Sequence, residues 1–377
     1  MITNINLIRF RNYLNIELSV NKNVVVLYGN NGEGKTNVLE AISMLANARG
    51  LRKATSEELI NKNSAELLWN IDITVENEVI SVGFVKNDKK CKKVYKINGK
   101  VIKNLDEFRR NTHILWMTYE TDRLFMQSPA NRRDFIDMFC NSVNSEHSTY
   151  LRTYEKLIHD RMIILKNDYN ELSEDTNKWL DILEEQICDM GLQIAKNRIK
   201  ITQILENCQL ATADFPIFTN EMTGLLESEI LNTSSESEIS IMYKKALKER
   251  RMKDSIVGAT TLGPNRSDWS VHHVSNNINA NQCSAGEQKM LLIGIFLSFI
   301  ISKVKNDNWI ILLDDVIAHL DAKYSNILLS YITEMVESNH GKICIWLSGT
   351  SSELFSKLDN YAQFFEINDG KIYSKGR

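Results

Sequence analysis

The sequence predicts an α/β fold in which strand-rich first and last parts share a mixed sheet and flank an inserted, mainly α-helical domain. Three observations predict it. The run Val24-Val25-Val26-Leu27-Tyr28 is an apolar, β-branched strand entering a glycine-rich turn and then an apolar-periodic helix. From Ser128 to about Leu210 the pattern changes to long helical periodicities with almost no Gly or Pro. Near Trp309 an apolar strand-like run returns, ending in two acids. The expected domains are residues 1–120, 121–254 and 255–377, the first and third forming one head.

The turn carries the most chemistry. Gly29-Asn30-Asn31-Gly32-Glu33-Gly34-Lys35-Thr36 fits the P-loop pattern, and Asn37 leads into a helix with Val38, Leu39 and Ile42 at helical spacing. Its glycines let successive backbone N–H groups turn inward around phosphate oxygens, and the helix start adds its positive dipole end. Lys35 is then placed to neutralise β- and γ-phosphates, and the Thr36 hydroxyl to ligate Mg²⁺. Strand before and helix after argue against a chance Gly-rich turn.

Composition sets the bounds. The chain has 377 residues, 43% apolar and 25% charged, long enough for two domains and without a disorder signature. Runs such as Ile310 to Leu313 are too short to cross a bilayer, and the first residues alternate apolar groups with Arg9 and Arg11, so a cytosolic protein without a membrane partner is expected. Six scattered cysteines without a CxxC suggest neither zinc nor disulfides. With a net charge of −3, any nucleic-acid surface must be a local patch.

In chain order, Ile5 to Tyr13 and Leu14 to Leu18 alternate as an edge hairpin ahead of the P-loop strand. After Arg49-Gly50-Leu51-Arg52, strands are expected at Leu67 to Val75 and Val79 to Val85, then a hairpin at Val94 to Ile102 around the type I′ signal Asn98-Gly99. Lysines 86, 89, 90, 92, 93, 96, 100 and 103 crowd this meander, as a solvated edge or as a phosphate-backbone surface. Ile114 to Met117 is a further apolar run, and Ser128 before Pro129 starts a helix. A helical hairpin is expected to break near Leu172 to Thr176, and Asn232 to Ser240 reads as a loop. Lys244, Lys245, Lys248, Arg250, Arg251 and Lys253 form a cationic helix, again either a solvated face or a DNA surface.

In the last part, Ser284-Ala285-Gly286-Glu287-Gln288-Lys289 precedes a long apolar helix from Met290 to Ile301, a second candidate anion site at a helix N-terminus. Trp309 to Leu313 reads as a buried strand ending in Asp314 and Asp315. There the first carboxylate helps hold Mg²⁺ and the second orients an attacking water. Because Ser284 lies so far along the chain from the P-loop, a composite site accounts for both better than a single one.

These motifs, with Ala318-His319-Leu320-Asp321, resemble in order the Walker A, signature, Walker B and D-loop of an ABC-type ATPase head. Leu7-x-x-Phe10-Arg11-Asn12-Tyr13, Pro129-x-x-Arg132-Arg133-x-Phe135-Ile136-Asp137 and Gly263-Pro264-Asn265-Arg266-Ser267-Asp268 sharpen the resemblance to the RecF family, over nearly the whole chain. It implies an SMC-like head that binds ATP and Mg²⁺, weakly hydrolyses ATP, and dimerises so that Ser284 and Gly286 complete the partner's site. Gln288 and Thr350, the latter at the switch position, would join the nucleotide contacts, and Thr36, Asp314 and Glu120 the metal contacts. ATP would close a clamp on gapped single- and double-stranded DNA, working with RecO and RecR to load RecA. Asn265 stands where the family usually has His, and Tyr119 where it usually has Pro; Asp315 replaces the usual ABC Glu, which fits slow turnover. The rivals are an ABC-type motor acting on a protein or membrane partner, a larger SMC protein and a related nuclease. Against them stand the helical insert, too short for an extended arm, and the lack of room for a further acidic cluster.

Overall fold

The computed structural model describes residues 1–46, 50–87, 90–168, 173–210, 214–232, 235–304, 307–339 and 341–375. The chain forms two compact units, Met1–Asp122 with Ile300–Arg377, and Arg123–Phe299. The segment 255–299, expected with the head, therefore lies in the second unit. Its strand pairs with one from the helical region, as set out below.

The first unit opens with β1 (Ile2–Phe10), β2 (Tyr13–Ser19), β3 (Val24–Tyr28) and α1 (Lys35–Ser43). A meander follows: β4 (Leu68–Val75), β5 (Glu78–Asn87), β6 (Lys90–Ile97) and β7 (Lys100–Ile102), then α2 (Asp106–Arg109) and β8 (Thr112–Thr118). Among the described residues, β2-β1-β4-β5-β6-β7 make one antiparallel sheet. Its strands alternate, as β4 does by burying Trp69, Ile71, Ile73 and Val75. Asn98 and Gly99 both take positive φ (49° and 80°), the requirement of the type I′ turn between β6 and β7.

The second unit holds α3 (Pro129–Val143), α4 (His147–Asp168), α5 (Glu174–Asn207), β9 (Phe218–Thr223), α6 (Leu225–Asn232), α7 (Glu236–Glu249) and α8 (Arg251–Val257). Ser128 precedes Pro129 at the start of α3, and Ser173 caps α5 through the Thr176 N–H. Leu172, where the expected break begins, lies outside the described residues. The expected loop at 232–240 is corrected from Ser235 on. Ser235 accepts from the Glu238 N–H, and Glu236 and Glu238 sit in the first turn of α7, so this Ser/Glu run is a helix start. Nor is the unit purely helical: β10 (Asp268–His273) pairs with β9 and with β11 (Ile278–Asn279).

Helix α9 (Ala285–Lys303) carries the chain back to the first unit. It corrects the expectation that no apolar run is long enough to cross a bilayer, since α9 qualifies by length and composition; most of it is nevertheless buried inside the protein. Phe296 and Phe299 pack on Phe139, and Gly294 lies against Phe215. Then come β12 (Asn308–Asp314), α10 (Ala322–Ser338), β13 (Ile343–Gly349), β14 (Ala362–Asn368) and β15 (Lys371–Lys375). The second sheet runs β15-β14-β3-β13-β12-β8, parallel except for β15, and is therefore mixed. Strands β3 and β13 are buried throughout, matching sequences that are apolar up to Ser348 near the end of β13. Val25 and Leu27 share one core cluster with Val38, Leu39 and Ile42 of α1 and with Leu7, Trp69 and Val82 of the first sheet.

Candidate functional site

Strand register brings the first unit's motifs to one sheet edge. In the ladders Tyr28 pairs with Gly349, Leu313 with Leu347, and Asp314 with Thr118. The carboxyl ends of β3, β13, β12 and β8 thus hold, side by side, the P-loop, Thr350, the acid pair and Tyr119-Glu120. In an open parallel sheet this edge is where ligands bind. Thr350, Tyr119 and Glu120 are exposed there.

The P-loop depends on its glycines. Gly29, Gly32 and Gly34 have φ of 148°, 88° and 119°, which L side chains rarely adopt. A Cβ on Gly29 would lie 2.1 Å from the Ile367 carbonyl oxygen, and one on Gly34 2.6 Å from the Tyr13 hydroxyl. The Lys35 ammonium is turned into the loop, donating to the carbonyls of Gly29 (2.7 Å) and Asn30 (2.9 Å) and to Asn31 Oδ1 (3.4 Å). These are three neutral acceptors, which a phosphate oxygen outbids for a compact cation. Glu33 accepts from the Asp369 N–H, so its carboxylate anchors the outside of the loop.

Beside it, the Thr36 hydroxyl donates to Asp314 Oδ1 at 2.9 Å, and Ser348 Oγ donates to the same oxygen at 2.7 Å. Burial pushes the Asp314 carboxyl above its usual range, and Asp315 adds to the rise; the two hydroxyls act against it. Asp315 has φ 53°, its N–H donates to Ser348 Oγ (2.8 Å), and its buried Oδ1 has no hydrogen-bond partner among the described residues. A hydroxyl oxygen beside a buried, destabilised carboxylate, with an orphaned carboxylate oxygen next along the chain, is an all-oxygen donor set of the kind that fits Mg²⁺.

A second layer holds the loop. Tyr13 donates to the Gly34 carbonyl (3.0 Å), Asn12 Nδ2 to the Glu33 carbonyl (2.8 Å), and Asn37 Nδ2 to Asn12 Oδ1 (2.7 Å). Beneath α1 the fully buried Glu40 takes a bidentate pair from Arg11 (2.7 and 2.8 Å) and a longer bond from Arg52 (3.4 Å), which also donates to Asn37. Sequence reasoning assigned no role to Glu40, Arg52 or Ser348. A charged residue on the apolar face of a helix and a hydroxyl inside an apolar strand were the available signals.

In the second unit Ser284 caps α9. Its hydroxyl and its N–H both donate to Glu287 Oε2 (2.8 Å each), and the Glu287 N–H returns to Ser284 Oγ, a capping box. These bonds hold the Glu287 carboxyl below its usual range. A Cβ on Gly286 would meet open space, so that turn is accessible. Gln288 instead points inward, buried, with its amide on the Cys283 carbonyl (2.9 Å). Asp321 of the D-loop candidate caps α10 through the Tyr324 N–H, while the side chain of His319 lies outside the described residues.

The remaining motifs are structural ties. Arg132 is bidentate to Asp268 (2.7 Å each), Arg133 donates to the Ser267 carbonyl, and Asp137 takes both arms of Arg198, which also reaches the Pro264 carbonyl. Asp137, Cys140 and His147 bring ligand-type atoms together, but Asp137 is committed to Arg198 and His147. Asn265 accepts from the buried Tyr154 hydroxyl at 2.8 Å, a supporting role for this position.

The two cationic candidates separate. Lys244 pairs with Glu185, Lys248 with Asp181, and Arg251 with Glu184 and Asp181, so α7 and α8 spend charge on α5. In the meander Lys86 pairs with Glu57, and Lys93 lies over the rings of Trp69 and Tyr95. Lys92, Lys96, Lys100 and Lys103 are exposed.

Comparison with known proteins shows the family and the fold. Residues 1–371 match the family model described as RecF/RecN/SMC N terminal domain. The chain is 30% identical over 368 residues to the DNA replication and repair protein RecF of Rickettsia typhi (strain ATCC VR-144 / Wilmington), covering 96% of this chain and 98% of that one. It is 31% identical over 373 residues to the protein of the same name from Rhizobium etli (strain CIAT 652), covering 97% and 96%. The fold matches a solved structure of the recombination mediator protein RecF-ATPrS in the RecFOR pathway, with a TM-score of 0.81, 22% identity, and 100% and 98% of the two chains covered.

Proposed function

Because this chain belongs to the RecF family, we propose that it is an ATP-dependent DNA-binding protein of DNA replication and recombinational repair, switched by nucleotide. The observation that supports the reading is the 2.9 Å hydrogen bond from Thr36 to Asp314, which brings together two motifs 278 residues apart in the sequence.

In this reading the P-loop N–H groups and Lys35 hold the phosphates, while Thr36 and Asp314 would hold Mg²⁺, with Glu120 beside them at the strand edge. Mg²⁺–ATP, when bound, supplies a phosphoanhydride whose cleavage ends the bound state. Asp315, with a free carboxylate oxygen in a restrained backbone, orients the attacking water. Ser284 and Gly286 complete the site of a second copy, so that ATP makes a dimer and hydrolysis releases it. Thr350 senses the phosphate from the end of β13.

Lys92, Lys96, Lys100 and Lys103 are the DNA-facing cations of this reading, since clustered exposed charge without ion-pair partners among the described residues suits a phosphate backbone and Lys244 and Lys248 of α7 are already paired. Gapped DNA as the substrate, loading of recombinase with RecO and RecR, and a cytoplasmic location belong to the same proposal.

The test is fluorescence anisotropy of a labelled gapped duplex at one fixed salt concentration, with and without ATP and Mg²⁺. The expected result is several-fold tighter binding with ATP, abolished in Lys35→Ala. If neither protein binds DNA in any nucleotide state, the DNA role is refuted and the motor reading takes its place.

A further inference from the structure

Ser348 is a hydroxyl in an otherwise apolar run, Ile343-Cys344-Ile345-Trp346-Leu347, and it is 1% exposed. A buried hydroxyl without partners is costly, so a strand interior rarely keeps one unless its bonds are worth more than the burial. Here the ladder explains its use. Leu347 pairs with Leu313, so the next residue of β13 arrives beside Asp314. Its oxygen accepts from the Asp315 N–H at 2.8 Å and its hydrogen goes to Asp314 Oδ1 at 2.7 Å. One hydroxyl therefore grips both acids, one by side chain and the other by main chain.

Each grip has a distinct effect. Asp314 has two hydroxyl donors, of which Thr36 is itself a candidate metal ligand; Ser348 is the donor a cation has no need to recruit. Asp315 is held at φ 53°, a backbone conformation that L residues rarely adopt, and its one backbone donor is tied to Ser348. Ser348 also stands two residues before Thr350, so a displacement of the β13 end moves both acids.

We propose that Ser348 is a positioning residue, the outer-shell partner that orients Asp314 toward Mg²⁺, pins Asp315 and couples both to the Thr350 segment. The inference rests on the reading of this edge as a Mg²⁺–ATP site. Outer-shell partners of this kind change metal affinity by 10–100-fold when removed.

The test compares wild type, Ser348→Ala, Ser348→Thr and the near-isosteric Ser348→Cys. Equilibrium binding of a fluorescent ATP analogue is titrated with Mg²⁺ from an EDTA baseline, and thermal midpoints are recorded alongside. The expected result is a Mg²⁺ midpoint raised 10–100-fold in Ser348→Ala, raised in the same direction in Ser348→Cys, and returned to within about threefold of wild type in Ser348→Thr. Ser348→Cys keeps the test valid if the alanine variant does not fold. An unchanged Mg²⁺ midpoint, with only the thermal midpoint lowered, overturns the proposal, since a hydroxyl that merely fills the strand has that signature. A wild-type protein whose nucleotide binding ignores Mg²⁺ overturns the functional reading itself, and this inference with it.

Discussion

Replacing Glu40 with Gln tests how the P-loop helix is held. The carboxylate is fully buried and receives Arg11 Nε at 2.8 Å, Arg11 Nη2 at 2.7 Å and Arg52 Nη1 at 3.4 Å. Glutamine keeps the volume but removes the charge and turns an NH₂ group toward a guanidinium. Hydrogen bonds to charged groups contribute roughly 1.5–3 kcal/mol each, and losing one partner of a fully buried ion pair costs about 3–5 kcal/mol. The guanidinium side chains are 21% and 43% exposed, so water recovers part of that loss and the expected cost is about 2–3 kcal/mol. For a unit of this size that is a fall of roughly 4–12 °C in thermal midpoint. Urea denaturation followed by circular dichroism, with an unchanged m-value, measures it. Arg11→Met and the double variant complete a cycle. A Glu40→Gln loss below about 0.5 kcal/mol, or single-variant costs that add within about 0.5 kcal/mol in the double variant, would refute the claim that these groups act as one network.

Two further outcomes are expected. Ser284→Arg removes the α9 cap, at about 1 kcal/mol, and places a bulky cation on the accessible turn; nucleotide binding should persist while ATP-dependent dimerisation, read by light scattering, is lost. Normal dimerisation would rule out the composite site. Burial, with a smaller contribution from Arg109, pushes Lys93 down to about 8. Between there and the ordinary lysine value near 10.4 the unfolded chain binds more protons than the folded one, so this group makes stability rise with pH across that window. Urea midpoints of wild type should climb there more steeply than those of Lys93→Met, and equal slopes would remove the effect.

Much of this protein was legible in its sequence because the signals are local. A β-branched run, positive-φ glycines and an apolar-periodic helix encode the P-loop unit within a short stretch, and Asn98-Gly99 encodes its hairpin by backbone preference alone. Elements built from distant partners were not legible. Strand β9 lies in a helix-rich region and exists because β10 pairs with it, and the Ser/Glu run at 235 becomes a helix start because α7 has α5 to pack on.

What the sequence by itself determined is the chemistry available: a P-loop, a hydroxyl directly after its lysine, two carboxylates at a strand end and a signature-like turn. What only the tertiary structure decided is which of these meet and which cations remain uncommitted. Parallel register sets Ser348 and Thr36 on one oxygen of Asp314, and packing against α5 neutralises one basic helix while Lys92, Lys96, Lys100 and Lys103 of the meander stay exposed. The physical reason is that hydrogen bonds and ion pairs act over a few ångströms of space, and sequence separation carries no information about that distance until the chain has folded.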